Sequence, residues 1–368
     1  VTFSLTTLFI GATVYLSLLF LIAHASERGW IPERIVRHPA VYVLSLGVYA
    51  TTWSYYGSVG FAGTSGLVFV TIYLGVTVAF ALTPVLLMPL LRLTRRHQLT
   101  SVADLFAFRF DSRLAGILVT LMILTGSLPY LALQVRAVSE STHILTGDSP
   151  PQLIAIVFCV IVTVFAIIFG ARHVTPREKH SGLVAAIAFE SLVKVAALVF
   201  ITGLAVSMAF GHWGGLQEWL DQDPRRLSQF TRGVGGGEWT GLMFLAFAAA
   251  FLLPRQFHML FTENLQDAGL RTASWAFPLF LLIIAAAIPP LLWAGQAIGI
   301  DTPADYTVLG IAQLTESPAV ALFVYLGGLS AASAMIIVST LALSSMCLNH
   351  LVLPLIRLAP LDDLYGTL

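Results

Sequence analysis

The sequence predicts an all-α polytopic membrane protein, and three observations carry that prediction. Hydrophobic residues make up 57% of the 368 residues and charged residues only 10%. So few charges cannot clothe a water-facing surface over that much apolar side chain. The mean hydropathy of +0.87 is spread over about nine long apolar segments, with mostly short polar linkers between them.

A spanning helix needs roughly 20 mostly apolar residues. Spans are expected at 2–24, 39–62, 66–92, 113–143, 151–171, 181–210, 239–262, 271–298 and 317–351. In the first, Ala23-His24-Ala25 resembles a small-residue cleavage site. No basic region precedes it and its apolar run is long, so it reads as a retained helix. The longest linker, 211–238, holds Trp213, Trp219, the charged stretch Asp221–Arg226 and Gly235–Gly237. It reads as an amphipathic surface segment followed by a flexible hinge.

Basic residues set the orientation. With the N-terminus outside, the inner loops hold Arg28, Arg34, Arg37, Arg92, Arg95, Arg96, Arg109, Arg113, Arg172, Arg177, Lys179, Arg271 and Arg357. The outer loops hold only Arg225, Arg226 and Arg232. The N-terminus is therefore expected in the periplasm and the end of this chain in the cytoplasm, with a bacterial inner membrane between.

The formal net charge is zero and no basic stripe suggests a nucleic acid. Cys159 and Cys347 fall inside spans, which argues against a disulfide framework. His143, His173, His180 and His350 lie near predicted membrane ends without metal-ligand spacing, so no metal site is assigned. There is no Walker motif, nucleophile triad or zinc pattern. No catalytic residue and no cofactor are expected in this chain.

Two spans are interrupted. The second carries Thr51, Thr52, Ser54 and Ser58 among Gly57, Gly60 and Gly63, with Trp53, Tyr55 and Tyr56 between them. Polar groups at membrane depth are costly unless paired or facing a cavity. Hydroxyls can satisfy carbonyls freed by an unwound turn. The seventh contains Pro254, which removes a backbone donor and kinks a helix, followed at once by Arg255, Gln256 and His258 in the run Pro254–His258. Interrupted helices in corresponding positions of two halves point to a transporter site. The spacing of five fits two five-helix inverted repeats preceded by one extra helix, whose eight spans here are core helices 1 to 8. Packing by small residues and a bare proline kink are the plainer alternatives.

Four segments in order resemble the solute:sodium symporter family, which has the LeuT-type fold. They are Trp53–Gly66 (WSYYGSVGFAGTSG), Leu99–Arg109 (LTSVADLFAFR), core helix 6 around Pro254, and core helix 8 at Leu326–Leu351. Leu128–Ser139 (LPYLALQVRAVS) and Arg177–Leu183 (REKHSGL) look closer to the transporter-like membrane domain of CbrA-type sensor histidine kinases. The resemblance implies an extra N-terminal helix and inner loop at 1–38, a first repeat at 39–210, an outer linker at 211–238 and a partial second repeat at 239–368. Core helices 9 and 10, and any kinase domain, would lie beyond Leu368.

In sodium-coupled members the ion lies between core helices 1 and 8, on backbone carbonyls and a Ser-Thr pair. Alignment places Ala334 and Met335 at that pair, with Ala50, Trp53 and Ala331 completing the degraded site. Alanine and methionine offer no hard oxygen ligand. The family's acidic residue on core helix 1 aligns with Thr52, and its acid at the start of core helix 5 falls on Lys179, or on Glu178 after a one-residue shift. A lysine there can replace the ion electrostatically. Lysine ionisation responds strongly to burial, so Lys179 is also a candidate proton carrier. The plainer reading makes it an ordinary inner-loop base.

The resemblance places the substrate pocket among core helices 1, 3, 6 and 8. Its expected residues are Thr51, Thr52, Trp53, Tyr55, Tyr56, Tyr130, Gln134, Ala246, Ala250, Pro254 and Gln256. Two aromatic positions of the proline permease align with Ala246 and Ala250, which implies a substrate larger than proline. Histidine suits the CbrA-type likeness, and Trp53, Tyr55 and Tyr56 offer aromatic faces to an imidazole or a cation. The pairs Arg136/Glu140 and Glu190/Lys194, each four apart, read as structural neutralisation along a helix face.

The function expected from the resemblance is a transporter-like sensor domain that binds and moves an amino acid, independently of sodium and with a proton as the candidate coupling ion. It would feed a two-component pathway through a histidine kinase, which would bring ATP and a response regulator. The alternatives are a stand-alone secondary symporter for a small organic solute and a structural membrane anchor. A kinase segment in the same polypeptide separates the first two, and the polar helix breaks weigh against the anchor.

Overall fold

The computed structural model describes residues 3–147, 150–170, 180–231, 234, 236–264 and 267–356. Lys179 lies outside the described residues, as do Arg172, His173, Arg177, Glu178, Arg232, Gly235 and Arg357. Among the described residues there are helices and turns but no strand. In chain order the principal helices are α1 (Leu5–Glu27), α2 (Pro39–Ser45), α3 (Ser58–Ser65), α4 (Thr71–Ala81), α5 (Leu87–His97), α6 (Val102–Phe110), α7 (Arg113–Thr146) and α8 (Pro151–Gly170). Then follow α9 (Ser181–Phe210), α10 (Trp213–Asp221), α11 (Pro224–Phe230), α12 (Gly237–Leu252), α13 (Pro254–Phe257), α14 (Asp267–Ile298), α15 (Thr307–Leu314) and α16 (Pro318–Cys347).

Six helical runs among the described residues are long and apolar enough to cross a membrane, and a seventh arises if α12 and Pro254–Thr262, bent by 49°, count as one. The difference from nine expected spans has a physical reason. The second expected span is split, so its first part survives only as the short apolar helix Pro39–Tyr49. The fifth is also short, at Gln152–Ile168. The continuous run Trp53–Ala81 is itself folded back. The Tyr49 hydroxyl donates to the Ile72 carbonyl at 3.1 Å. In a straight helix those residues would lie roughly 35 Å apart.

The reversal falls at Gly66, with φ +58° and ψ −139°. A Cβ there would meet the Phe230 carbonyl oxygen at 2.2 Å. Only glycine fits both demands. Phe230 belongs to the linker at 211–238 and also packs on Phe69 and Trp293. The linker is two short amphipathic helices, α10 and α11, with the Arg226 guanidinium 3.7 Å from the Trp219 ring centroid.

Helix α9 is the hub. It packs on α14, α16, α1 and α2, and α4 lies along α12. Its buried stripe runs through Ile187, Glu190, Ser191, Lys194, Ala197 and Ile201, the three-to-four spacing of one helix face. Small residues admit close approach: Gly47 faces Ser191, and Gly327 faces Ala197 and Tyr55. Helix α1 shows Phe9, Ile10, Val14 and Leu21 outward, as a lipid-facing helix should. Asp104 of α6 accepts from both the N–H and hydroxyl of Thr100 and lies 2.7 Å from His350 Nε2, tying this short helix to the turn after α16.

Replacing Gly66 with alanine should force an unfavourable backbone conformation onto the reversal, costing about 1–3 kcal/mol. The check is the thermal unfolding midpoint of the purified protein. An unchanged midpoint would mean that the turn relaxes without the Phe230 contact.

Candidate functional site

The site begins where α2 ends. After a 3-10 turn at Leu46–Tyr49, Ala50 turns to φ −75° and ψ 97°, and the chain resumes as a π-turn at Trp53–Gly57 before α3. The helix is thus broken at Ala50–Thr51. The second break is at Leu253, whose φ of −62° and ψ of 136° precede Pro254. Helix α13 then runs into another π-turn, His258–Thr262. Proline starts that short helix at no hydrogen-bonding cost, because the first N–H of a helix has no internal partner.

A broken helix frees backbone groups, and inside a membrane these must find partners within the protein. Here side chains supply them. Gln256 Nε2 donates to the Leu46 carbonyl at 3.3 Å. Lys194 Nζ donates to the Gly47 carbonyl at 3.0 Å and to the Ala50 carbonyl at 2.9 Å. Gln134 Oε1 accepts from the Thr52 N–H at 3.1 Å and from its hydroxyl at 2.9 Å. The two breaks and helices α7 and α9 are stitched together by these bonds.

Lys194 is the residue sequence reasoning misplaced. Its spacing from Glu190 suggested a pair along one helix face. The two charges still act on one another, but their hydrogen bonds go elsewhere: Lys194 takes the carbonyls of the break, while Glu190 accepts from Ser333 of α16. Both residues are buried. The lysine assigned to the ion position from sequence, Lys179, lies outside the described residues. The charges of Arg136 and Glu140 both act on the Tyr306 hydroxyl.

A cavity of about 650 Å³ opens between α7 and α12 beside the break. Of the expected residues, Trp53, Tyr130, Ala246, Pro254 and Met335 line it. Thr51 braces it from behind, its hydroxyl 3.1 Å from that of Tyr130. Thr52, Gln134 and Gln256 serve the backbone as described. Tyr55 and Tyr56 turn away: the Tyr55 hydroxyl donates to the Val324 carbonyl at 2.9 Å, and Tyr56 packs on Tyr306 and lies over Gly328. Ala250 is buried one helical turn from Ala246 and is not in the lining. Ala331 and Ala334 are buried in α16.

Arg255 also lines the cavity and was not among the expected residues. It is 3% exposed, its guanidinium carbon lies 5.0 Å from the Tyr130 ring centroid, and its Nε has no hydrogen-bond partner. The signal was present in the sequence, as a cation directly after the proline of an apolar span.

A second polar cluster lies where α9 begins and the broken helix ends. His180 immediately precedes α9, and its Nδ1 lies 2.8 Å from Glu263 Oε1. Burial raises the Glu263 carboxyl, but the hydrogen bond from His180 and the adjacent His258 imidazole outweigh that and hold it well below the usual carboxylate range. Arg95 pairs with Asp267 and donates to Asn264 beside it.

No protein-family model matches the chain. A Bacillus subtilis (strain 168) protein named uncharacterized symporter YhjB is 30% identical over 188 residues, covering 50% of this chain and 35% of that protein. The match thus spans about a third of the length of that curated relative. A solved structure of a Na+-coupled sialic acid symporter, substrate-bound and outward-open, aligns with a TM-score of 0.69 at 15% identity. That alignment covers 94% of this chain and 75% of the other. The chain is a multi-pass, all-α membrane protein with the LeuT-type transporter fold.

Lys194→Met should leave the Ala50 carbonyl without its donor in an apolar interior, whereas the Gly47 carbonyl keeps the Ala50 N–H at 3.0 Å. Each unsatisfied group costs about 1–3 kcal/mol, so the thermal midpoint should fall markedly. A midpoint equal to that of the unaltered protein would mean that water reaches the break.

Proposed function

We propose that this chain is a transporter-like membrane unit that binds and moves an amino acid, with histidine favoured, and that sodium does not drive it. The observation that carries this reading is the Lys194 amino group on the Gly47 and Ala50 carbonyls. Ala50 is one of the carbonyl positions that the family resemblance assigns to sodium. A tethered nitrogen donor stands beside the place of the ion, while Ala334 and Met335 provide no hard oxygen on the facing helix. Lys194 joins Lys179 as a candidate proton carrier.

The cavity suits an amino acid with a flat side chain. Its volume falls within the roughly 300–1,000 Å³ usual for small-molecule pockets. Arg255 is a buried cation with donor capacity to spare, which fits a carboxylate. Trp53 and Tyr130 present aromatic faces to an imidazole or an ammonium. The proposed organisation is an extra helix at 1–38, a first repeat at 39–210 and a partial second repeat at 239–368. The proposed setting is a bacterial inner membrane with the N-terminus in the periplasm.

The finer reading assigns the unit to a CbrA-type sensor histidine kinase acting on a response regulator, with ATP used only by its kinase domain. It rests on the segments Leu128–Ser139 and Arg177–Leu183. The second reading, a stand-alone symporter for a small organic solute, is favoured by the names of the similar proteins. The length of the natural polypeptide and its phosphorylation in the presence of ATP separate the two.

Uptake of labelled histidine into proteoliposomes tests the transport reading. It should respond to an inward proton gradient and be indifferent to replacing sodium with choline at fixed pH. A steep, saturable sodium dependence would overturn it. Arg255→Gln should weaken histidine binding about tenfold or more, since a hydrogen bond to a charged group contributes about 1.5–3 kcal/mol. Ala246→Trp should fill the cavity and weaken binding similarly. Unaltered histidine binding in both variants would place the substrate elsewhere.

A further inference from the structure

We propose that His180, His258 and Glu263 form a binding site for a divalent transition-metal ion of zinc-like chemistry where α9 begins and the broken helix ends. The residues come from separate segments that the fold brings together. His180 precedes α9, whereas His258 and Glu263 flank the π-turn that ends the broken helix. One potential ligand atom from each lies within 4.8 Å of the other two.

The geometry is that of a site rather than a solvated ion pair. Glu263 and His258 are more than nine-tenths buried. His258 Nε2 lies 3.1 Å from Glu263 Oε1, yet it is not aligned for a hydrogen bond and has no other partner. A buried imidazole nitrogen held beside a carboxylate oxygen, off the line of a hydrogen bond, is the arrangement of two ligands that share one ion. The other carboxylate oxygen, Oε2, accepts the His180 backbone N–H at 2.9 Å. That bond orients the carboxylate from behind, as outer-shell partners of metal ligands do.

The donor set selects the class of ion. Two imidazoles and one carboxylate suit zinc and its neighbours in the first transition row, whereas magnesium and calcium take oxygen ligands. Three protein ligands leave a fourth position open. A small cavity of about 30 Å³ on the Glu263 side of the cluster, bounded also by Asn264, Tyr42 and His38, has room for a water beside the carboxylate. Ligand atoms about 2.0–2.1 Å from a tetrahedral ion lie about 3.3–3.4 Å from one another. The contacts at 2.8 and 3.1 Å would open by a few tenths of an ångström and the widest edge would close. His258 sits at the start of a π-turn, a local irregularity that recurs at functional sites. The inference does not depend on the transport reading, because none of the three residues lines the central cavity.

The test uses the full chain purified in detergent, stripped with a chelator and titrated with cobalt(II). One equivalent should produce the visible absorption of a four-coordinate nitrogen and oxygen site, and zinc should displace it. Zinc should also raise the thermal midpoint, as any ligand of the folded state does. His258→Ala and Glu263→Gln should lose both signals, while His143→Ala keeps them. If either variant fails to fold, zinc X-ray absorption on the intact protein decides, with two imidazoles and a carboxylate expected in the first shell. No cobalt band from the intact protein, bands that persist in both folded variants, or a different shell would overturn the proposal.

Discussion

The structure depends on one constraint, which is that a helix broken inside a membrane must have its freed backbone groups satisfied by the protein itself. The break at Ala50–Thr51 meets it with three side chains from three helices. Lys194 comes from α9, Gln134 from α7 and Gln256 from the segment after Pro254. Lys194 and Gln134 partner the Ala50 carbonyl and the Thr52 N–H, and Gln256 adds a bond to the Leu46 carbonyl. The polar residues at membrane depth are thus positioned first by the backbone they serve.

That stitching explains where the central cavity lies. Helix α9 is held against α2, α14 and α16 by small residues and by Lys194. The wall of α7 carrying Tyr130 and Gln134 is drawn to the break by the Thr51 and Thr52 hydroxyls. The backbone step at Leu253 then turns Arg255 into the space that remains. The cavity has aromatic walls and one buried cation because the two breaks face one another across it.

Much of the architecture was legible in one dimension. Apolar length marked most of the membrane helices, Pro254 marked one break, and hydroxyls and glycines around Thr51 marked the other. What was not legible involved direction and convergence. Glu190 and Lys194 are four apart, and spacing alone cannot tell a mutual pair from two side chains leaving for different helices. Ala246 and Ala250 are also four apart, and only one faces the cavity. Tyr55 and Tyr56 looked like pocket aromatics, but the glycines at 327 and 328, far along the chain, make room for them elsewhere. His180, His258 and Glu263 have no motif spacing, because a helix start and a distant turn meet only after folding.

The Lys194 contact also bears on energy conversion. A diffusible cation that binds on one side of a membrane and leaves on the other carries in the free energy of its gradient. A nitrogen held by a covalent stem makes similar contacts with the carbonyls of a broken helix but cannot leave. It stabilises the broken conformation at every external salt concentration and does no work of its own. Under the proposed transport reading, the drive enters as something small enough to come and go at that nitrogen, or as the free energy of the solute itself.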